Sequence, residues 1–373
     1  MIYFDSAATT HLDNRVLDAM ITVYKEYYGN PSSLHEDGIK ARKKMNQVKN
    51  ELAQILNTKR QSLIFTGSGT EATNLAIKGF YFKYPSYQFI TTSIEHHATQ
   101  NAINFIKKLG ANVVIIDVDE YGFMDLDALE NALKNGPSFL SMIYANNEIG
   151  TLQPLNKILS LKASYNFTLH LDIIQTPMHI PIDAKALGAD LISMSAHKFN
   201  GPKGVGLLIK DEAISLEPLV HGGQQEFNLR AGTENLANMV GFLEALKYAL
   251  KKMIEHNKHI NHMAHYFIDK LDQSGLKYRL NGPALDYSRL NSILNIGFFQ
   301  SDAQSLSFGL NQEGICVSLG SACDSKNIDV SHVLKAINVP KDYIEGSMRF
   351  SLSDEISEAM IDKTINVLKD LLK

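Results

Sequence analysis

The chain has 373 residues, 45% hydrophobic and 20% charged, and its 36 Lys+Arg against 40 Asp+Glu leave a formal charge of −4. These values exclude a disordered or fibrous chain and offer no overall attraction for nucleic acid or anionic lipid. Two cysteines, Cys316 and Cys323, are too few for a disulfide framework and wrongly spaced for a metal half-site, so a reducing cytoplasm is the expected location.

The opening MIYFDSAATTHLDNR has neither a basic n-region nor an apolar h-region, so no signal or transit peptide is expected. Apolar runs such as Val113-Val114-Ile115-Ile116 are far shorter than the roughly 18 to 20 residues a bilayer span needs. Ala41, Met45, Val48, Leu52 and Ile55 form a helical stripe, with Ser33 and Glu36 spaced as a capping box at its start. A strand over 62–66 then meets a glycine-rich turn and a helix from about Thr70. Further strands are predicted over 88–92, 112–118, 138–144, 167–171, 191–195 and 206–209, with a helix over 98–109 that stops at Gly110.

Short, nearly continuous apolar strands alternating with amphipathic helices predict an α/β fold with a mostly parallel sheet covered on both faces. Ligands bind such sheets beyond the carboxyl ends of the strands. There lie residues 67–71, 95–97, 146–150, 172–175 and 196–198, five polar groups on one predicted rim. A helical pattern over 241–263 leads toward a smaller α+β unit. The division expected is 11–256 for the large domain, with 1–10 and 257–373 in the small one.

The turn Thr66-Gly67-Ser68-Gly69-Thr70-Glu71 puts glycines and hydroxyls at a helix start, where unpaired N–H groups favour a phosphate. The same residues also serve as a plain strand-to-helix turn, and no Lys-Ser/Thr follows to make a Walker loop. Lys198 follows the apolar strand Leu191–Ser195 before a glycine-rich bend, where an amine is either a solvated surface group or a desolvated nucleophile or base. Asp172 ends another strand, placed either to cap a turn or to pair with a protonated ring nitrogen. Together a Schiff-base amine, a ring-nitrogen partner and a phosphate cradle are the minimum kit for pyridoxal 5'-phosphate.

His96 and His97 follow a strand and suit ring stacking or proton transfer better than metal binding. Cys323 sits among small polar residues, where a thiol is accessible, while Cys316, between Ile315 and Val317, reads as a buried structural residue. Arg349 alternates with apolar neighbours on a predicted strand, an arrangement suited to clamping a carboxylate or to a half-exposed surface.

Taken in order, eleven blocks resemble the cysteine desulfurases of the NifS-like type, pyridoxal phosphate enzymes of fold type I in aminotransferase class V. They are YFDSAATT from Tyr3, GNPSSLH from Gly29, FTGSGTEATNLAIKG from Phe65, EHHA from Glu95, NNEIGTLQP from Asn146, HLDIIQ from His170, SAHKFNGPKGVG from Ser195, GGQQEFNLRAGTEN from Gly222, GSACDS from Gly320, SHVLKA from Ser331 and MRFSL from Met348. The resemblance implies a seven-stranded large domain and a smaller domain carrying the cysteine segment. It also implies a homodimer, L-cysteine as substrate and a sulfur-acceptor protein, with no direct role for nucleic acid or membrane.

By that resemblance Lys198 would hold the cofactor and move the Cα proton. His96 would stack on the ring, Asp172 would pair with its nitrogen and Gln175 would bond its phenolic oxygen. Gly69, Thr70, Ser195 and His197 would bind the phosphate, with Thr233 reaching across from the second subunit. Asn147 and Arg349 would hold the substrate carboxylate side, and Cys323 would take the sulfur as a persulfide. Iron–sulfur assembly and the thiolation of tRNA or of cofactors are the acceptor pathways such enzymes serve.

Ser6, the order Gly67-Ser68-Gly69, Ile173-Ile174, Asp324 and Ser353-Asp354 depart from the family pattern. They leave the cofactor kit intact and bear on substrate preference and acceptor. Competing readings are a class V aminotransferase or selenocysteine lyase, and a non-catalytic protein of the same fold acting as a binding partner.

Overall fold

The computed structural model describes residues 1–285, 287–319 and 330–373. Its largest sheet has seven strands, in the order Leu63–Thr66, Gly206–Lys210, Leu191–Ser195, Phe167–Asp172, Ser138–Ile143, Gln88–Thr92 and Asn112–Ile116. All neighbours pair in parallel except Gly206–Lys210, which is antiparallel to both of its own. The predicted strands are all present, within two residues at each end. Connection length explains the one antiparallel strand. Only ten residues separate Ser195 from Gly206, too few for the dozen or more that a parallel crossover requires.

Period-two alternation sorts the strand side chains onto two faces. Phe65, Leu169, Leu171, Ile192, Met194, Leu207 and Ile209 join one core cluster with Leu52, Phe242 and Leu246. Ile64, Phe89, Phe139, Leu191 and Leu208 join another with Ala72, Leu75, Phe80 and Ile106. The helix Gly69–Lys83 starts where the Ser68 hydroxyl accepts the Glu71 N–H at 3.0 Å. The helix Glu36–Ile55 differs from the expected cap. Ser33 is used in a turn, its N–H donating to the Asn30 carbonyl at 2.9 Å, and His35 caps instead, its Nδ1 accepting the Gly38 N–H at 3.3 Å.

A 39-residue helix, Leu236–Ser274, is about 58 Å long at 1.5 Å per residue and ends on Gly275, whose φ of +76° gives the left-handed cap. Its first half packs on the large sheet. Its second half contributes Ile260, Met263, Phe267 and Leu271 to a separate cluster with Phe298, Phe350 and Leu368. That cluster lies on an antiparallel sheet ordered Ser347–Ser351, Ile293–Phe298, Tyr278–Asn281. The chain's second and third residues, Ile2–Tyr3, pair in parallel with Ile315–Cys316, and Cys316 is partly exposed rather than buried, because a two-residue strand covers little of it. Among the described residues no helix is long and apolar enough to cross a membrane.

Glu226, Phe227 and Asn228 stand in succession at φ of 45°, 58° and 64°, a run that costs about 1–3 kcal/mol per residue unless the surroundings fix it. Buried Glu226 supplies that fixation, accepting from Lys49 Nζ at 2.7 Å and from the Phe65 N–H at 2.9 Å. Removing one member of a buried ion pair costs about 3–5 kcal/mol, and removing both costs much less. Lys49→Met is therefore expected to lower unfolding free energy by about that amount in urea titrations, and the double change Lys49→Met/Glu226→Gln to recover most of it. Equal losses in the two proteins would contradict this role for the pair.

Candidate active site

The rim anticipated from the sequence is a cavity of about 460 Å³ at the carboxyl ends of the strands. Gly69, Thr70, His96, Asn147, Asp172, Gln175, Ser195, His197, Lys198 and Arg349 all line it. Thr233 does not. It is exposed in the stretch that follows Arg230, whose guanidinium pairs with Glu71 at 2.9 Å. Cys323 lies outside the described residues.

Lys198 closes a short 3-10 turn, Ala196–Lys198, that turns the chain sharply out of its strand. The ammonium donates to the carbonyls of Ala7 at 2.6 Å and Ala8 at 2.8 Å. The N-terminal segment therefore crosses the site, and small side chains at Ala7 and Ala8 let its carbonyls come close. Its further ties are Thr10 N–H to the His197 carbonyl at 2.9 Å and the Gln175 amide to the Ala7 carbonyl at 3.0 Å. This part of the site was missed in sequence reasoning, which assigned no role to Asp5 or to Ala7 and Ala8. The available signal was a run of small residues inside a matching block.

Asp172 is the last residue of its strand and is buried. Burial pushes its carboxyl up to about 6, against the Ile174 N–H donated to Oδ1 at 3.0 Å and the charge of Lys198. At neutral pH it is ionised and suited to a cation brought by a ligand. His96 caps the helix His97–Lys108, its Nδ1 accepting the Ala98 N–H at 3.1 Å. Burial, then the charge of Lys198, pushes its imidazole down to about 4, so it is a neutral flat ring. His197 is likewise held down to about 4, mainly by burial. Neighbouring Glu95, fully buried, is pushed by burial up to about 8 while accepting the Thr92 hydroxyl at 2.5 Å.

Arg349 is only 1% exposed. It donates to the Asn147 carbonyl at 2.9 Å and to Asp5 Oδ1 at 3.0 Å, and among the described residues its Nε has no hydrogen-bond partner. The fork anticipated for a substrate is thus partly spent on fixing the arginine itself. At the opposite end, a Cβ added to Gly69 would meet Ile174 Cδ1 at 2.5 Å and Ser195 Cβ at 3.0 Å. The helix start is therefore a tight cradle in which backbone N–H groups, Thr70, His197 and Lys203 face one space. A second cavity of about 500 Å³ adjoins the first, sharing Ala7, Gln175 and Lys198, and Ser6, Ser353 and Asp354 lie on its wall. Three departures from the family pattern thus lie together.

Residues 2–363 match the family model described as aminotransferase class-V. Among curated proteins the chain is 39% identical, over all of its length and 94% of the relative's, to the cysteine desulfurase IscS of Dictyoglomus turgidum. It is 36% identical to the IscS of Methanosarcina thermophila, over all of its length and 92% of that protein. Among solved structures, a NifS-like protein superposes with a TM-score of 0.92 at 32% identity, covering 100% of this chain and 99% of the other. An SspA solved in complex with cysteine superposes at 0.81 with 28% identity, covering 95% of this chain and 99% of that one. The chain belongs to the aminotransferase class-V family and, within it, to the NifS-like cysteine desulfurases.

The buried carboxyls predict a pH effect. Glu95 keeps its proton in the folded chain up to about pH 8 but loses it near 4.5 when unfolded. Folding therefore takes up a proton between these values, and the stability it confers is lost as pH rises through 8. The depressed histidines act only below their ordinary 6.5. In the cofactor-free chain, urea midpoints should fall from pH 6.5 to 8, and Glu95→Gln should flatten that fall. An unchanged slope in the variant would contradict this origin.

Proposed function

We propose that this protein removes sulfur from L-cysteine to give L-alanine and a persulfide on Cys323, using pyridoxal 5'-phosphate held by Lys198. One observation carries the proposal. Lys198, the buried carboxylate Asp172 and a glycine-cradled helix start share one cavity in a chain of this family. The residues fit the cofactor. Asp172 offers an ionised carboxylate to a protonated ring nitrogen, and the absence of a Cβ at Gly69 lets the helix start pack against Ile174 and Ser195 at the cavity wall, where its N–H groups suit a phosphate.

When bound, pyridoxal phosphate supplies an electron sink that acidifies the substrate Cα–H and loosens its Cβ–S bond. The chain does the rest. Gly69, Thr70, Ser195 and His197 hold the phosphate, and Thr233 of a second copy completes that shell. Neutral His96 would stack on the ring without adding charge beside Lys198, and Gln175 would bond the phenolic oxygen. Arg349 and Asn147 orient the substrate carboxylate, and the buried setting of Arg349 keeps its guanidinium from swinging. Lys198 Nζ would hold the cofactor and, as a free amine, would move the Cα proton.

The sulfur step balances as cysteine plus the Cys323 thiol giving alanine plus the Cys323 persulfide. The Cβ–S bond breaks and an S–S bond forms, the two sulfurs are oxidised to the persulfide level, and Cβ is reduced to a methyl that gains the proton. An acceptor protein for iron–sulfur assembly or thiolation then takes the outer sulfur, in the cytoplasm. For the dimer, Leu17, Ile21 and Tyr24 recur at spacings of four and three on the helix Asn14–Glu26 and are exposed, an apolar stripe of the kind a second copy covers.

Incubated with L-cysteine and without reductant, the cofactor-loaded protein should gain the mass of one sulfur atom on the peptide carrying Cys323. Cys323→Ser should lose that gain while keeping the visible band of the bound cofactor, and Lys198→Ala should lose the covalent band. Sulfur on Cys316 instead, or undiminished sulfur transfer by Cys323→Ser, would overturn the assignment.

A further inference from the structure

One apolar cluster stands apart from the main cores, and its buried members come from three places, with Val118, Tyr343 and Ile344 packed against them. Ile94 comes from the loop before His96, Ile149 from the loop after Asn147, and Val333, Leu334, Ile337 and Val339 from the short helix His332–Ala336 and the turn beyond it. Its polar contacts repeat the pattern. His332 Nε2 lies 2.9 Å from the Glu95 carbonyl. Since a carbonyl only accepts, this nitrogen carries the proton and donates. The Ser331 hydroxyl donates to Glu148 Oε2 at 2.5 Å, and Glu148 is 1% exposed, so its carboxylate depends on protein donors. Ser331 Oγ also accepts the Val333 and Leu334 N–H groups at 3.1 and 3.4 Å, so the same oxygen begins the helix.

Both anchored residues are immediate chain neighbours of site residues, Glu95 of His96 and Glu148 of Asn147. Buried Asn146 ties the two loops directly, its amide donating to the Ile94 carbonyl at 2.9 Å while Oδ1 accepts the Glu148 and Ile149 N–H groups. The two loops are thus tied to each other on one side and held by side chains of the short helix on the outer side. That outer side is Ser331 and His332. The His332 ring is also 4.9 Å from the ring of His97, the first residue of the helix that His96 caps.

We propose that Ser331 and His332 are positioning residues, His332 setting the loop that carries His96 and Ser331 setting the loop that carries Asn147. The inference rests on the proposed function for what those loops do. His332 acts on the chemical step through His96, whereas Ser331 acts on substrate binding through Asn147. Misplacing a reacting group by about an ångström costs up to about a hundredfold in rate.

The test uses cofactor-loaded full-length protein and paired variants. His332→Leu keeps bulk and loses the donor, and His332→Gln can still donate to the Glu95 carbonyl. Ser331→Ala loses the hydroxyl, and Ser331→Thr keeps it. Alanine formation from L-cysteine should show a kcat about tenfold or more lower in His332→Leu with KM little changed, recovered in His332→Gln, and in Ser331→Ala a rise mainly in KM, recovered in Ser331→Thr. The absorption maximum of the bound cofactor, recorded without substrate, should shift in His332→Leu and return in His332→Gln. Glutamine and leucine variants that behave alike in kcat and in spectrum would overturn the His332 assignment, and unchanged KM in Ser331→Ala that of Ser331. If the wild-type chain forms no alanine, the proposed function fails. The positioning of His96 is then decided by the spectra alone, and an unshifted band in His332→Leu overturns it.

Discussion

The burial of one guanidinium organises the site. Arginine cannot shed its charge inside a protein, so an arginine that is 1% exposed must be given oxygens wherever it lies. Arg349 takes them from Asp5 near the start of the chain and from the Asn147 carbonyl. Its own backbone pairs with Ser318 and, across the strand, with Asn295. Asp5 in turn introduces the segment whose Ala7 and Ala8 carbonyls hold the Lys198 ammonium. A single cation thereby joins the antiparallel sheet, the N-terminal segment and the rim of the large sheet.

Around that cation the charges are few and placed. Burial leaves His96 and His197 neutral and keeps Glu95 protonated at neutral pH, while Asp172 is ionised above about pH 6. Asp172 and Lys198 line one cavity, with Lys203 and Arg349 as the other charged side chains on its wall. On the proposed reading, a protonated ring nitrogen would find its counter-ion in Asp172 and a substrate carboxylate would find Arg349. Such an arrangement favours chemistry in which electrons flow toward the ring nitrogen.

Much of this was legible in the sequence, because alternating apolar strands and helices leave a strong pattern and because strand ends of such sheets gather ligands. Lys198, Asp172 and the Gly69 turn each had a plain structural alternative, and it was their combination at strand ends, with the family resemblance, that pointed to a site. The antiparallel strand Gly206–Lys210 was not foreseen, since strand direction depends on connection length rather than on apolar pattern. Ser33 had the spacing of a cap but is used in a turn, and His35 does the capping. Arg349 looked equally suited to a surface, because its burial depends on Asp5, 344 positions away. The roles of the Ala7 and Ala8 carbonyls were invisible, as backbone atoms leave no residue signature. Ser353 and Asp354 were odd only by resemblance. In space Asp354 pairs with buried His256 at 2.6 Å, on the wall of the second cavity.

The central claim is that this cavity cuts the Cβ–S bond of L-cysteine and hands the sulfur to a protein thiol. The most direct measurement mixes cofactor-loaded protein with L-cysteine in the absence of reductant and counts free L-alanine against protein-bound sulfur. An initial burst in which the two form in equimolar amounts is expected. Alanine without protein-bound sulfur, or amine transfer to a keto acid with the cysteine sulfur left in place, would contradict it.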